Sequence, residues 1–156
     1  MPTHLRTLAQ SILDTHHALL KRELPRLGAA FRTAPPALRV PFASLRALLD
    51  EHLWKEEQIL FPMIFALADG ETPDGCGVEG PITQMRFEHD RIRELEAELR
   101  VAASLAEGEA YALRAMLDDL AEHARKEDEE LFAEAMAVGA EPPETMSPVV
   151  SAPSLG

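Results

Sequence analysis

The sequence predicts an all-α fold, an antiparallel up-down four-helix bundle. Three observations predict it. Leucine and isoleucine recur at three- and four-residue steps in four long segments. No strand-like alternation stands out between or within them. The breaks are short and rich in Pro and Gly, which sets consecutive helices side by side in opposite directions.

Each element follows from its own signals. Leu5, Leu8, Ile12, Leu13, Leu20, Leu24 and Leu27 define a first helix over about residues 3–30. Pro25 is expected to kink it, because its ring removes a backbone donor and clashes one turn back. Thr33-Ala34-Pro35-Pro36 ends it. A second helix is expected over about 40–68 through Leu45, Leu49, Leu53 and Leu60, with Pro41 in its first turn and a kink at Pro62. The turn-rich stretch ADGETPDGCGVEG follows. A third helix starts near Pro81 and carries Ile82, Met85, Ile92, Leu95 and Leu99. Gly108 marks a break before a fourth helix over about 109–138 with Leu113, Met116, Leu120, Leu131 and Phe132. The bundle therefore occupies residues 1–139. The Pro/Ser-rich residues 140–156 are expected to be a disordered tail.

Composition narrows the function classes. At 156 residues and 46% apolar content the chain can bury a proper core. Its 27 Asp and Glu against 15 Lys and Arg exclude nucleic acid or an anionic membrane as the main partner. No run approaches a membrane span and the N-terminus lacks an apolar signal core, so a cytoplasmic protein is expected. A lone cysteine, Cys76, excludes an internal disulfide framework. It lies between Gly75 and Gly77 with no cation to lower its pKa, and reads as incidental. Trp54 stands off the face of its neighbour His52, suited to covering a loop or meeting a second copy. The sequence decides neither that nor the oligomeric state.

One pattern occurs twice. EHLWKEEQILF at 51–61 and EHARKEDEELF at 122–132 share Glu-His, two free positions, Lys-Glu, an acid, two free positions and Leu-Phe. His52 and His123 are 71 residues apart, and His17 and His89 are 72 apart. The chain thus reads as two helix pairs of one design. Each pair has a His on its first helix and His-x-x-x-Glu on its second. Residues four apart share a helix face. So His52 with Glu56, and His123 with Glu127, each present nitrogen and oxygen side by side, and Leu60 and Leu131 one turn on turn that face inward.

A buried cluster of four His and two Glu is costly unless something neutralises the carboxylates and uses the imidazole lone pairs. A metal does both. Imidazole and carboxylate without thiolate suit iron, manganese or zinc. Two carboxylates from facing helices suit two metals, since each can bridge. A single His-x-x-x-Glu arises by chance on many helices; two in matching frames, each with a matched upstream His, do not. The Lys-Glu-Glu and Lys-Glu-Asp runs around them read as solvated faces, and His4 as solvent-exposed. On the first helix two histidines compete: leucine phase favours His16, and repeat spacing favours His17.

At these residues the chain resembles the hemerythrin-like (HHE cation-binding) family, most closely the di-iron domain of the iron–sulfur cluster repair proteins. The resemblance rests on HALLKRELPRL at 17–27, HLWKEEQILFPMI at 52–64, GPITQMRFEHD at 80–90 and LDDLAEHARKEDEELF at 117–132. It implies a di-iron centre of two oxo- or hydroxo-bridged irons, with His17, His52, Glu56, His89, His123 and Glu127 as ligands and the two Glu as bridges. The RELP match selects His17 over His16. Oxygen carriers of the family have a second His one turn from the third-helix ligand; here those positions are Met85 and Arg93. That leaves about one open position per iron for water or a small ligand. Asp119, one turn before His123, is a candidate extra ligand or support. Glu88 and His16 share that standing, and Glu51, Glu88 and Glu122 could line an approach to the irons. Repair proteins also carry an N-terminal segment with a Cys pair, and this sequence starts at the bundle.

The resemblance implies a protein that handles iron, oxygen or nitric oxide species in stress response or cluster repair. Its expected partners are O2, NO or peroxide, together with iron–sulfur proteins. The alternative is a reversible oxygen or nitric oxide binding or sensing module without catalysis. A zinc or manganese site in a structural bundle is the third reading.

Overall fold

A computed structural model describes residues 2–72, 77–104 and 108–140. These form four long helices: α1 over 2–30, α2 over 36–68, α3 over 79–104 and α4 over 110–140. No strand occurs among the described residues. Cys76 and residues 141–156 lie outside them, so neither the loop cysteine nor the tail has a structural account.

The apolar stripe of each helix is interrupted once, and the four interruptions line up. One cluster joins Leu20, Leu24 and Leu27 of α1 to Leu45 and Leu49 of α2, Ile92, Leu95 and Leu99 of α3, and Leu113, Met116 and Leu120 of α4. The other joins Leu5, Ala9 and Ile12 to Leu60, Phe61 and Ile64, Ile82 and Met85, and Leu131 and Phe132. Along the chain the clusters are met in alternating order, as up-down-up-down topology requires. Between them each helix places its histidine: 16 and 17, 52, 89, and 123. The polar residues therefore form a layer inside the bundle, closed at both ends by apolar side chains.

Three helices are not α-helical throughout. A π-helical turn covers Leu13–His17 in α1, Glu56–Leu60 in α2 and Lys126–Leu131 in α4. In each the hydrogen bond steps back five residues: Ala18 N–H to Leu13 O, Phe61 N–H to Glu56 O, and Phe132 N–H to Glu127 O. Such turns insert one residue and rotate the remainder of the helix about its axis. They explain why Leu60 with Phe61, and Leu131 with Phe132, are all buried although neighbours in sequence. They also explain why leucine phase misjudged α1, where His16 and His17 are both buried.

The helix boundaries hold with one correction. α2 begins at Pro36 rather than near 40, so Pro36 takes the first-turn role and Pro41 lies inside the helix. The helices continue through Pro25 and Pro62. At Pro62 the irregularity is the wide turn just before it. α2 ends where Gly70 takes a positive φ of 78. Gly70 N–H then bonds Leu67 O and Glu71 N–H bonds Ala66 O, satisfying carbonyls left open at the helix end. No described helix is long and apolar enough to cross a membrane. Trp54 is 59% exposed.

Candidate metal centre

The middle layer brings six side chains together: His17 from α1, His52 and Glu56 from α2, His89 from α3, and His123 and Glu127 from α4. All are at most 1% exposed. They fall into two overlapping groups that could each hold a metal ion, His17, Glu56, His123 and Glu127, and His52, Glu56, His89 and Glu127. Within each group one donor atom per residue lies within 4.8 Å of the others. Glu56 and Glu127 belong to both.

The contacts show how the carboxylates span the two groups. Glu56 sets Oε2 3.3 Å from His17 Nε2 and Oε1 against His52 Nε2. Glu127 sets Oε1 3.2 Å from His89 Nε2 and 3.0 Å from His123 Nε2, with Oε2 3.9 Å from His17 Nε2. The π turns at Glu56–Leu60 and Lys126–Leu131 begin at or beside these two carboxylates.

Three observations fit a metal here. First, all four oxygens of Glu56 and Glu127 are buried without a hydrogen-bond partner. A buried carboxylate left so is strongly unfavourable unless a cation compensates it. Second, the ring nitrogens meet in pairs, His17 Nε2 with His123 Nε2 at 3.1 Å and His89 Nε2 with His52 Nε2 at 3.2 Å. Two nitrogens at right angles about an ion, each at about 2.1 Å, lie roughly 3.0 Å apart. Third, the donor set is imidazole and carboxylate with no thiolate, which suits iron, manganese or zinc.

Without a metal, protons take that place. Burial by itself lowers the pKa of His17, but the Glu127 and Glu56 carboxylates reverse this and raise it to about 9. The same opposition, burial against Glu56 and Glu88, raises His52 to about 10. His89 rises to about 9 through Asp128 and Glu127 against its burial. Burial pushes Glu127 up, yet His123 and the other groups around it hold it well below the ordinary carboxylate range.

A surrounding layer orients some of these rings. His52 Nδ1 faces Glu88 Oε1 at 3.2 Å, and Lys55 and Gln84 hold the other Glu88 oxygen at 3.0 and 2.8 Å. Burial raises Glu88, but its bonds to His52, Gln84 and Lys55 bring it down to about 2, so it stays ionised. His89 Nδ1 faces Asp128 Oδ1 at 2.8 Å, and Arg93 donates to Asp128 Oδ2 at 2.7 Å. A ring whose Nδ1–H is fixed in this way presents its Nε2 lone pair in one direction.

The other candidates take different places. Asp119 does not enter the cluster; its Oδ2 lies 3.0 Å from His16 Nδ1. His16 also meets Lys126 Nζ at 3.0 Å through Nε2. With the ammonium donating there, His16 carries its proton on Nδ1 and donates it to Asp119. Glu51 is exposed and pairs with Lys55; Glu122 is half-buried and pairs with Arg125. His4 is exposed beside Glu134. Among the described residues, no further His or carboxylate joins either group. Met85 is buried in an apolar cluster and Arg93 is engaged by Asp128.

The reading of the acidic runs as solvated faces is corrected. Their third residues, Glu57 and Asp128, are partly buried and turn toward ligand-candidate rings: Glu57 Oε1 is 3.6 Å from His17 Nδ1, and Asp128 bonds His89. The repeat itself held the signal, since both copies place an acid directly after the inward Glu. Glu96 of α3 was missed altogether. It is buried, and one of its carboxylate oxygens has no partner.

An all-α bundle with two His pairs sharing two glutamates defines a class, the metal-binding bundles built on His and carboxylate donors. The chain belongs to the Hemerythrin HHE cation binding domain family, whose model matches residues 8–135. It is similar to the iron-sulfur cluster repair protein YtfE of Yersinia pseudotuberculosis serotype IB (strain PB1/+), at 29% identity over 85% of this chain and 66% of that protein. YtfE of Yersinia pestis (strain Pestoides F) matches at 28% identity over the same shares. The chain thus spans just under two thirds of the length of these relatives. No solved structure matches it.

Proposed function

We propose that the chain is a non-haem di-iron protein acting on iron, nitric oxide or oxygen species in stress response or iron–sulfur cluster repair. His17, His52, His89 and His123 would supply one nitrogen each, and Glu56 and Glu127 would serve both ions. The observation that carries this reading is that both carboxylates belong to both donor groups. One ion would leave one His pair idle; two ions use all six residues. Bound iron would supply redox capacity and open positions for a small ligand such as NO, O2 or peroxide.

The chain's own residues set the conditions. Glu56 and Glu127 supply two negative charges in a layer closed by leucine and phenylalanine on both sides. Asp128 and Glu88 hold the His89 and His52 rings in one tautomer. Asp119 and Glu88 are each engaged by a histidine, Asp119 by His16 and Glu88 by His52. The similarity to iron-sulfur cluster repair proteins supports repair as the role.

Elemental analysis and an optical spectrum of the same aerobically purified sample test the reading. About two irons per chain with near-ultraviolet charge-transfer absorption is the expected result. Zinc alone, or no metal after expression with added iron, would overturn it. The rate at which the diferrous protein oxidises in air then separates redox chemistry from reversible gas binding, because a carrier must hold oxygen without losing it as peroxide.

A further inference from the structure

The layer that orients the rings is one-sided. His52 and His89, which form one donor group, each have a carboxylate on Nδ1, at 3.2 and 2.8 Å. His17 and His123, which form the other, have buried Nδ1 atoms with no hydrogen-bond partner. The acid nearest His17 Nδ1 is Glu57 at 3.6 Å, and that Glu57 oxygen is bonded to Lys21.

The repeat shows where the missing partner went. Glu88 directly precedes His89 and reaches across to His52. The matching residue, directly before His17, is His16. Its ring lies parallel to that of His123, with centroids 5.5 Å apart and planes 4° from parallel. It gives its own nitrogens to Asp119 and Lys126. A near-parallel ring therefore stands beside His123 where the repeat would supply a carboxylate.

We infer that the two metal positions are built unequal: the ion between His52 and His89 binds first and tightly, and the ion between His17 and His123 is the exchangeable one. A carboxylate on Nδ1–H makes Nε2 a better donor and fixes the ring's direction. Loss of such a partner weakens metal binding by about 10- to 100-fold. One position has two such partners within hydrogen-bond distance and the other none, Glu57 lying 3.6 Å from His17 Nδ1. Glu56 and Glu127 are shared and cannot discriminate. The chain thus carries a retained ion beside one that can leave.

The inference rests on the two-ion reading, and one experiment separates their failures. The metal-free full chain is titrated anaerobically with ferrous ion against a coloured chelator. Two binding steps at least about tenfold apart are expected. Glu88→Gln and Asp128→Asn should each weaken the tighter step by about 10- to 100-fold and leave the weaker step within about threefold. His16→Glu, which restores an acceptor near His123, should strengthen the weaker step. Two equal steps in the unaltered chain, or equal effects of Glu88→Gln on both, overturn the inference alone. Fewer than two ions at saturation overturns the two-ion reading and this inference with it.

Discussion

Asp128 lies 2.8 Å from Nδ1 of His89, while its neighbour Glu127 lies 3.2 Å from Nε2 of the same ring. Two consecutive acids of α4 thus address opposite edges of one imidazole on α3. Adjacent residues can do this because the π turn at Lys126–Leu131 holds both on the inward side. The ring is fixed from behind, and its Nε2 faces the carboxylate in front.

Removing one member of the cluster leaves its partners unbalanced. His52→Ala or Glu127→Ala is expected to reduce bound metal from about two ions per chain to less than one. Thermal stability should fall as well, by about 3 kcal/mol or more, since a buried charge is left unpaired. Metal analysis and thermal denaturation of the purified variants check this. Full metal content in either variant would show the ligand assignment to be wrong.

Metal and proton compete for the same atoms. In the metal-free protein burial lowers the pKa of His17, His52 and His89, but the neighbouring carboxylates raise them to about 9, 10 and 9, which favours protonated rings at pH 7. Loading at pH 7 should then release protons, in a number that depends on how the facing His52 and His89 rings share them. Calorimetric titration in buffers of different ionisation enthalpy measures that number. A binding heat independent of the buffer contradicts the prediction.

The same groups shape the stability of the metal-free protein. The three histidines have folded pKa values above their unfolded value near 6.5. Their contribution is fully present below pH 6.5 and is lost as pH rises through about 9 to 10. Glu127 and Glu88 are depressed. Their contribution is present above about pH 4.5 and is lost as pH falls, for Glu88 through about 2. Metal-free protein should therefore be most stable between about pH 4.5 and 6.5. Melting temperatures across pH 3–10 test this, and a metal-free protein as stable at pH 10 as at pH 6 refutes it.

Glu96 makes the opposite case. Burial raises its pKa against the pull of Arg100, Arg93, His89 and His123. A raised carboxyl favours the folded state only when protonated, so at neutral pH it is destabilising. Glu96→Gln should stabilise the fold at pH 7 by about 1 kcal/mol, with the gain vanishing below about pH 4. Denaturant titrations of both proteins at the two pH values decide it; a loss of stability at pH 7 would show that the carboxylate has a partner worth keeping.

Much of this was written in the chain. Period and breaks located four helices to within a few residues, because an apolar stripe needs only local spacing to be seen. The doubled His-x-x-x-Glu, with matched upstream histidines, brought out the six clustered residues, because a two-fold arrangement of helix pairs leaves a translational repeat in sequence. Other features depend on contacts across the bundle. His16 or His17 could not be decided by phase, since the one-residue wide turn at Leu13–His17 breaks the phase and leaves no mark in composition. Asp128 and Glu57 looked like surface acids until α3 and α1 placed histidines opposite them. Asp119 looked inward along α4 until His16 met it from 103 residues away. Helix periodicity and ligand pairing are properties of one helix and are legible there. Which carboxylate backs which ring is decided by the register of one helix against another, and only packing sets that.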